Sequence, residues 1–376
     1  MALMDIPLNK SLLIVGPPDT GKASVLRSLP VFQDTLYMDL DDPLLVRELL
    51  SRPEFLKDIL AEVQPGEWLT IHRLDRILKY LPELIEAIEN QNIYIAATSG
   101  RELADQKHFK LIYTSSLSYL KIKDTTDVLT ALQYGLLPKN FNLLNSADKS
   151  RYLSHYVENY INDELIEKSK IRNLVAFHLF LPLAAETVGT KLNYSRLSQQ
   201  INVDYKTIQN FYALLVETHV GFFLKNCELK LRKVQISSPR FYFFDSGFMR
   251  SLENKLNDKL LENSTEYRKY YKHWCIAEVQ KMNVLFNLDL KLSYIETKDQ
   301  VEIDLVIETP DQNNYLICFE GSSKIIPSHL KNLNRIGSSL PNAKLMLVTE
   351  AQNELNDQRV RKLTAAQFFL EVSQLK

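Results

Sequence analysis

Glycine is scarce in this chain, ten residues in 376, and cysteine is scarcer still at three. The cysteines, Cys227, Cys275 and Cys318, stand far apart without paired metal-ligand spacing. That excludes a zinc module or a disulfide framework and reads as buried thiols in a reducing compartment. An excess of either charge is lacking too: 45 Lys and Arg against 46 Asp and Glu leave a formal net charge of −1. With 45% apolar residues, this balance excludes a disordered or polybasic chain, so any nucleic-acid surface has to be local. No apolar run approaches the roughly 20 residues of a spanning helix. Residues 1–10 have neither a basic start nor a cleavable apolar stretch. The expectation is a cytoplasmic protein with no membrane partner, long enough for two or three domains that each bury a core.

Against so little glycine, the pair at 16 and 21 is informative. Gly16-Pro17-Pro18-Asp19-Thr20-Gly21-Lys22 follows the apolar run Leu12-Leu13-Ile14-Val15 and precedes a helical run from Ser24. A glycine-bounded loop ending in lysine between a buried strand and a helix is the arrangement that wraps nucleotide phosphates. Its backbone N–H groups face the anion, and Lys22 reaches the β- and γ-phosphates as a point charge. A bare strand-to-helix turn is the competing reading and explains less of the pattern. Position 23 departs from it: Ala23 stands where a Ser or Thr hydroxyl would ligate Mg²⁺. Ser24 is no substitute, because one step along a helix rotates a side chain by about 100°. ATP or ADP is therefore the expected ligand, with Mg²⁺ weak or absent, and residues 16 to 24 form the expected contact set.

The first third alternates short β-type runs, Leu12–Val15, Thr35–Leu40, Trp68–His72, Ile93–Thr98 and Leu111–Thr114, with helical stretches such as Pro82–Asn90. Alternation of this kind predicts a parallel sheet covered on both faces. Near Thr125 the sequence turns helix-rich, with long amphipathic periodicity over Tyr152–Lys170 and Arg172–Thr187. Two short helices then flank the turn Asn202-Val203-Asp204, the second amphipathic through Ile208, Phe211, Leu214 and Leu215, and β-rich runs follow at Val220–Leu224 and Phe241–Phe244. This is the pattern of a winged helix-turn-helix. Residues 192–250 carry eight Lys or Arg against four Asp or Glu, a local excess of four. Lys206, Gln209 and Asn210 face away from the apolar stripe, and Lys230, Arg232 and Lys233 lie where a wing tip would meet phosphates; these six are the candidate DNA contacts. A packing or interaction module is the alternative reading. From about Leu252 a further α/β unit is expected, with a helix at Tyr267–Met282 and strands at Leu290–Glu296, Val301–Glu308, Tyr315–Glu320 and Lys344–Val348.

Taken in order, these segments resemble the prokaryotic AAA+ superfamily ATPases whose P-loop domain is followed by a winged helix and a restriction-endonuclease-like C-terminal domain of unknown function. The resemblance is carried by the P-loop, Tyr37-Met38-Asp39-Leu40-Asp41-Asp42-Pro43, Thr98-Ser99-Gly100-Arg101-Glu102-Leu103, Arg172-Asn173-Leu174 and Leu192-Asn193-Tyr194-Ser195. It continues through Phe241-Tyr242-Phe243-Phe244-Asp245-Ser246-Gly247 to Val301-Glu302-Ile303-Asp304. It implies a P-loop domain at 1–125, a helical linker or lid at 126–190, a winged helix at 191–251 and a nuclease-like domain at 252–376.

The departures from the family fall on acidic and metal-handling positions. The third strand, which ends in Asp-Glu in the family, ends here in His72-Arg73. The base is lost and the charge reversed where a dication would sit. Losing a group that orients the nucleophile costs on the order of 10²–10⁴ in rate. Asp75, Asp41 and Asp42 are candidate replacements, Thr98 and Ser99 candidate γ-phosphate sensors, and Arg101 a candidate phosphate contact. In the last domain, Asp304 is the candidate metal ligand, but Phe319 and Gly321 align with the family's Glu and Lys, and Lys272 with its helical Glu, so nuclease activity is not expected. Three functions remain open: a nucleotide-binding pseudo-ATPase acting as a regulatory or scaffold module, a winged-helix DNA-binding protein with a relic P-loop, and an active ATPase using a displaced acid. Partners under these readings are nucleotide, DNA, and a second copy or another protein.

Overall fold

The computed structural model describes residues 9–28, 35–162, 171, 173–227, 238–322, 324–340, 342–352, 354–355 and 357–375. Lys230, Arg232 and Lys233 of the expected wing tip lie outside them. The chain divides into two units, residues 1–115 with 217–219, and residues 116–216 with 220–376.

In the first unit, β1 (Ser11–Val15), β2 (Leu36–Asp39), β3 (Trp68–His72), β4 (Tyr94–Ser99) and β5 (Phe109–Tyr113) form one parallel sheet in the order β2-β3-β4-β1-β5. Because successive side chains on a strand point to opposite faces, β1 supplies two cores at once. Leu12 and Ile14 pack with Leu26, Ala96 and Ile112. Leu13 and Val15 pack with Leu69, Ile71, Ile95, Ala97 and the buried residues of helices Glu54–Glu62 and Leu81–Asn90. The sheet is an α/β P-loop NTPase-like fold, with helix Lys22–Ser28 entering directly from the glycine loop. Helix Pro43–Ser51 starts where it does because Asp42 accepts a hydrogen bond from Leu44 N and proline fills the first turn.

In the second unit, β6 (Gly221–Asn226), β7 (Arg240–Phe243), β8 (Lys291–Glu296), β9 (Glu302–Glu308), β10 (Asn314–Glu320), β11 (Lys344–Thr349) and β12 (Val360–Leu363) form one mixed sheet in the order β12-β11-β10-β9-β8-β6-β7. The expected wing strands β6 and β7 thus extend one end of the C-terminal sheet, with Lys225 opposite Ser293 and Asn226 opposite Tyr294. One apolar core runs from Leu132 and Leu153 of the helical segment through Phe177, Phe211 and Phe241 to Trp274 and Phe369. Residues 126–190, 191–251 and 252–376 therefore share a core, a continuity that local sequence patterns do not carry. Helices Tyr194–Gln200 and Tyr205–Glu217 flank a tight turn. Asn202 takes the left-handed conformation there at φ 53°, and Asp204 Oδ1 accepts from Thr207 N at 2.9 Å. The 22-residue helix Thr265–Phe286 lies against β7 and β10, burying Tyr270, Tyr271, Trp274, Cys275 and Met282. All three cysteines are buried, and none is joined in a disulfide. Among the described residues, no helix is long and apolar enough to cross a membrane.

Candidate nucleotide site and two charge clusters

The loop after β1 is closed by its own side chains. Thr20 Oγ1 donates to Pro17 O at 2.7 Å and lies 2.8 Å from Thr114 Oγ1. Lys22 Nζ, in a side chain only 9% exposed, donates to Gly16 O at 2.7 Å and Pro17 O at 2.6 Å. The lysine charge therefore sits over the loop rather than out in solvent. Gly16 is required by crowding, since a Cβ there would lie 2.3 Å from Thr114 O. Gly21 is required by its backbone, φ 89°. Thr114 was not visible as a loop partner in the sequence, because only the pairing of β1 with β5 brings it there. Ala23 is half-buried without a hydroxyl, and Ser24 is exposed. The cradle and its lysine fit a polyphosphate; the donor set for a magnesium ion is incomplete.

At the end of β3 the two residues replacing the expected acids are each bonded within the unit. Thr98 Oγ1 accepts from Arg73 N at 2.9 Å and lies 2.8 Å from His72 Nδ1. Asp41 Oδ2, a carboxylate oxygen that can only accept, lies 3.3 Å from His72 Nε2, so that nitrogen carries a proton. Arg73 Nη1 donates to Asp41 Oδ1 at 2.8 Å, and Arg76 Nη2 lies 3.7 Å from the same oxygen. Asp41 is held far below the usual carboxylate range, first by the His72 hydrogen bond and then by the arginine charge. Arg73 adopts the left-handed conformation at φ 60°, a strained state for a long side chain.

Asp39, Asp41 and His72 place one donor atom each within 4.8 Å of one another. Two guanidinium groups already face Asp41, however, so a dication there would meet a carboxylate whose charge is satisfied. The other candidate acids are similarly engaged. Asp42 caps its helix through Leu44 N, and Asp75 is buried with Oδ1 3.3 Å from Gly100 N. Thr98 serves the end of β3, Ser99 Oγ bonds the backbone of Arg101, and Arg101 Nη1 donates to Glu217 Oε1 at 3.0 Å.

In the second unit, Lys206, Gln209 and Asn210 are exposed together on helix Tyr205–Glu217, while Ile208, Phe211, Tyr212 and Leu215 are buried. Around Asp304, a chain of opposite charges runs between β7, β8, β9 and helix Thr265–Phe286. Lys272 Nζ lies 2.5 Å from Asp304 Oδ1 and 3.4 Å from Glu302 Oε1. Arg240 donates to Glu302 at 2.8 Å and Glu296 at 2.7 Å, and Lys191 reaches Glu296 at 2.7 Å. Arg240 also lies over the Tyr294 ring at 4.1 Å. Burial opposes ionisation of Glu302, but Lys272 and Arg240 outweigh it and hold its carboxyl down at about 2. Burial likewise opposes charge on Lys272, and Asp304 with Glu302 outweighs it, raising the amine. The ammonium of Lys272 takes the place at Asp304 that a metal would need, so these residues do not fit a metal centre. Glu320 is buried and accepts from Ser322 N and Oγ at 3.0 and 2.7 Å, and Lys324 is exposed.

A family model described as "Domain of unknown function (DUF8612)" matches residues 125–259. No curated protein matches the chain. Among solved structures, the replication initiator DnaA bound to AMPPCP and single-stranded DNA is 12% identical at a TM-score of 0.28, covering 57% of this chain and 85% of its own. A signal-transduction ATPase with numerous domains and a tetratricopeptide-repeat sensor, from Pyrococcus horikoshii, is 12% identical at 0.26, covering 73% and 43%. Can2 from Sulfobacillus thermosulfidooxidans, in complex with cyclic tetra-adenylate, is 11% identical at 0.23, covering 92% and 98%. Likenesses of this size carry no functional argument, and the reading below rests on the residues.

Proposed function

We propose that this chain binds ATP or ADP at residues 16–24 and uses the nucleotide as a regulatory or structural ligand, with little or no hydrolysis. The observation that carries this reading is the pairing of an intact phosphate cradle with a disarmed catalytic edge. Lys22 sits over the Gly16 and Pro17 carbonyls, while His72 and Arg73 stand in place of the family's acids and are tied to Asp41 and Thr98. Binding alone can regulate, since a ligand adds RT ln(1 + [L]/Kd) to the state it prefers. The candidate replacement acids are each bonded elsewhere, Asp41 to Arg73, Asp42 to Leu44 N and Asp75 to Gly100 N.

The test is calorimetric titration of ATP and ADP, with and without Mg²⁺, into the full chain and into Lys22→Ala. Micromolar binding that depends on Lys22 and little on Mg²⁺ is expected, with a loss of about 10- to 100-fold in the variant, the worth of one charge-assisted hydrogen bond. Absence of binding to the folded chain overturns the reading. Phosphate release abolished by Lys22→Ala would establish the displaced-acid ATPase instead. DNA binding is a second reading, favoured by the exposed Lys206, Gln209 and Asn210 face. Retention on DNA that falls steeply with salt and is lost on Lys206→Ala supports it.

A further inference from the structure

We infer that Arg73 reads the terminal phosphate of a nucleoside triphosphate without a metal ion, so that the site distinguishes triphosphate from diphosphate. This inference rests on the nucleotide-binding reading above and concerns the same site.

Placement is the first argument. Thr98 lies opposite Ile14 on β1, and the same Thr98 hydroxyl accepts the Arg73 backbone N–H. Arg73 therefore leaves the sheet at the level of the residues that lead into Gly16. It stands two strand spacings, about 10 Å, from β1, a distance spanned by an extended arginine together with a phosphate chain.

The second argument is exchangeability. Asp41 Oδ1 is shared between Arg73 at 2.8 Å and Arg76 at 3.7 Å, and Oδ2 faces His72 Nε2 at 3.3 Å. If Arg73 turns to a phosphate, Asp41 keeps two cationic or donor partners. The exchange leaves Asp41 beside Arg76 and His72, and Asp41 itself is 47% exposed, so water can cover what is vacated.

Chemistry supplies the third argument. A guanidinium presents paired N–H donors that match phosphate oxygens, the charge is permanent, and no dehydration of a small dication is needed. The left-handed backbone of Arg73, pinned by Thr98, is the kind of local strain that persists where a side chain must be aimed.

The experiment is titration of ATP and ADP in EDTA into the wild-type chain, Arg73→Ala and Asp41→Asn, with folding checked by circular dichroism. Wild type is expected to prefer ATP by tenfold or more. Arg73→Ala is expected to bring ATP down to the affinity of ADP while leaving ADP unchanged. Asp41→Asn, which releases Arg73 from its competitor, is expected to raise ATP affinity and provides a reading independent of Arg73 folding defects. Equal binding of ATP and ADP by wild type, or a preference that survives Arg73→Ala, overturns this inference and leaves the nucleotide-binding reading intact. If neither nucleotide binds the folded wild type, the underlying reading falls and takes this one with it.

Discussion

Replacing Lys272 by Met keeps most of the aliphatic stem and deletes the ammonium that faces Asp304. Asp304 is 2% exposed, and its other oxygen accepts from Phe319 N at 2.8 Å, so the carboxylate cannot turn to water. Removing one partner of a buried pair costs about 3–5 kcal/mol, because the remaining charge is left desolvated. With a urea slope of about 3 kcal/mol per M for a unit of this size, that predicts a midpoint lowered by about 1.3 M. The chain has two tryptophans, Trp68 in the first unit and Trp274, buried on helix Thr265–Phe286, in the second. In a Trp68→Phe background, Trp274 fluorescence follows the second unit alone. The double variant Lys272→Met with Asp304→Asn removes both charges and should recover about 2 kcal/mol or more relative to the sum of the single losses. A midpoint shift below about 0.3 M, or single effects that add within about 0.5 kcal/mol, would refute the claim that the ammonium neutralises this cluster.

Three further outcomes follow from other positions. Gly16→Ala places a Cβ 2.3 Å from Thr114 O. The loop must shift at a cost of about 1–3 kcal/mol, and calorimetry should show ATP and ADP binding weakened together by tenfold or more. Gly135 has φ 65°, and a Cβ there would lie 1.9 Å from Asp245 Oδ1, a carboxylate that accepts from Leu136, Gly247 and Phe248 N–H groups. Gly135→Ala should therefore cost about 2–5 kcal/mol in Trp274-detected unfolding, and a loss under about 1 kcal/mol would contradict the packing. His273 is buried with Nε2 3.0 Å from Phe243 O, and burial pushes its imidazole down to about 3. The unfolded chain takes this proton near pH 6.5 and the folded chain does not, so stability is full above 6.5 and falls as pH drops toward 3. The loss is about 2 kcal/mol at pH 5, and His273→Gln should flatten that slope.

Much of the first unit was legible because its signals are local. Apolar runs of four to six residues between helical stretches mark buried parallel strands, and a glycine-lysine loop after the first of them marks the proposed phosphate cradle. The replacement of the expected acids by His72 and Arg73 was legible for the same reason, as residue identity at a strand end. What those residues touch was not. Asp41 lies 32 positions from Arg73 in the chain, and Thr98 is 25 positions away; only the β2-β3-β4 pairing makes them one cluster. Thr114 as a loop partner was hidden in the same way.

In the second unit the sequence by itself determined the individual elements. The turn at Asn202, the amphipathic stripe of Tyr205–Glu217, the long helix around Trp274 and the strand bearing Asp304 all follow from period, caps and propensity. Tertiary structure alone decided that β6 and β7 extend the C-terminal sheet, and that Lys191 and Arg240 meet Glu296 and Glu302. The physical reason is range. Helix period, caps and turn chemistry act between residues a few positions apart and are written into the local sequence. Edge pairing and buried charge neutralisation join residues tens of positions apart, and their free energy exists only once the chain has brought them together and removed the water.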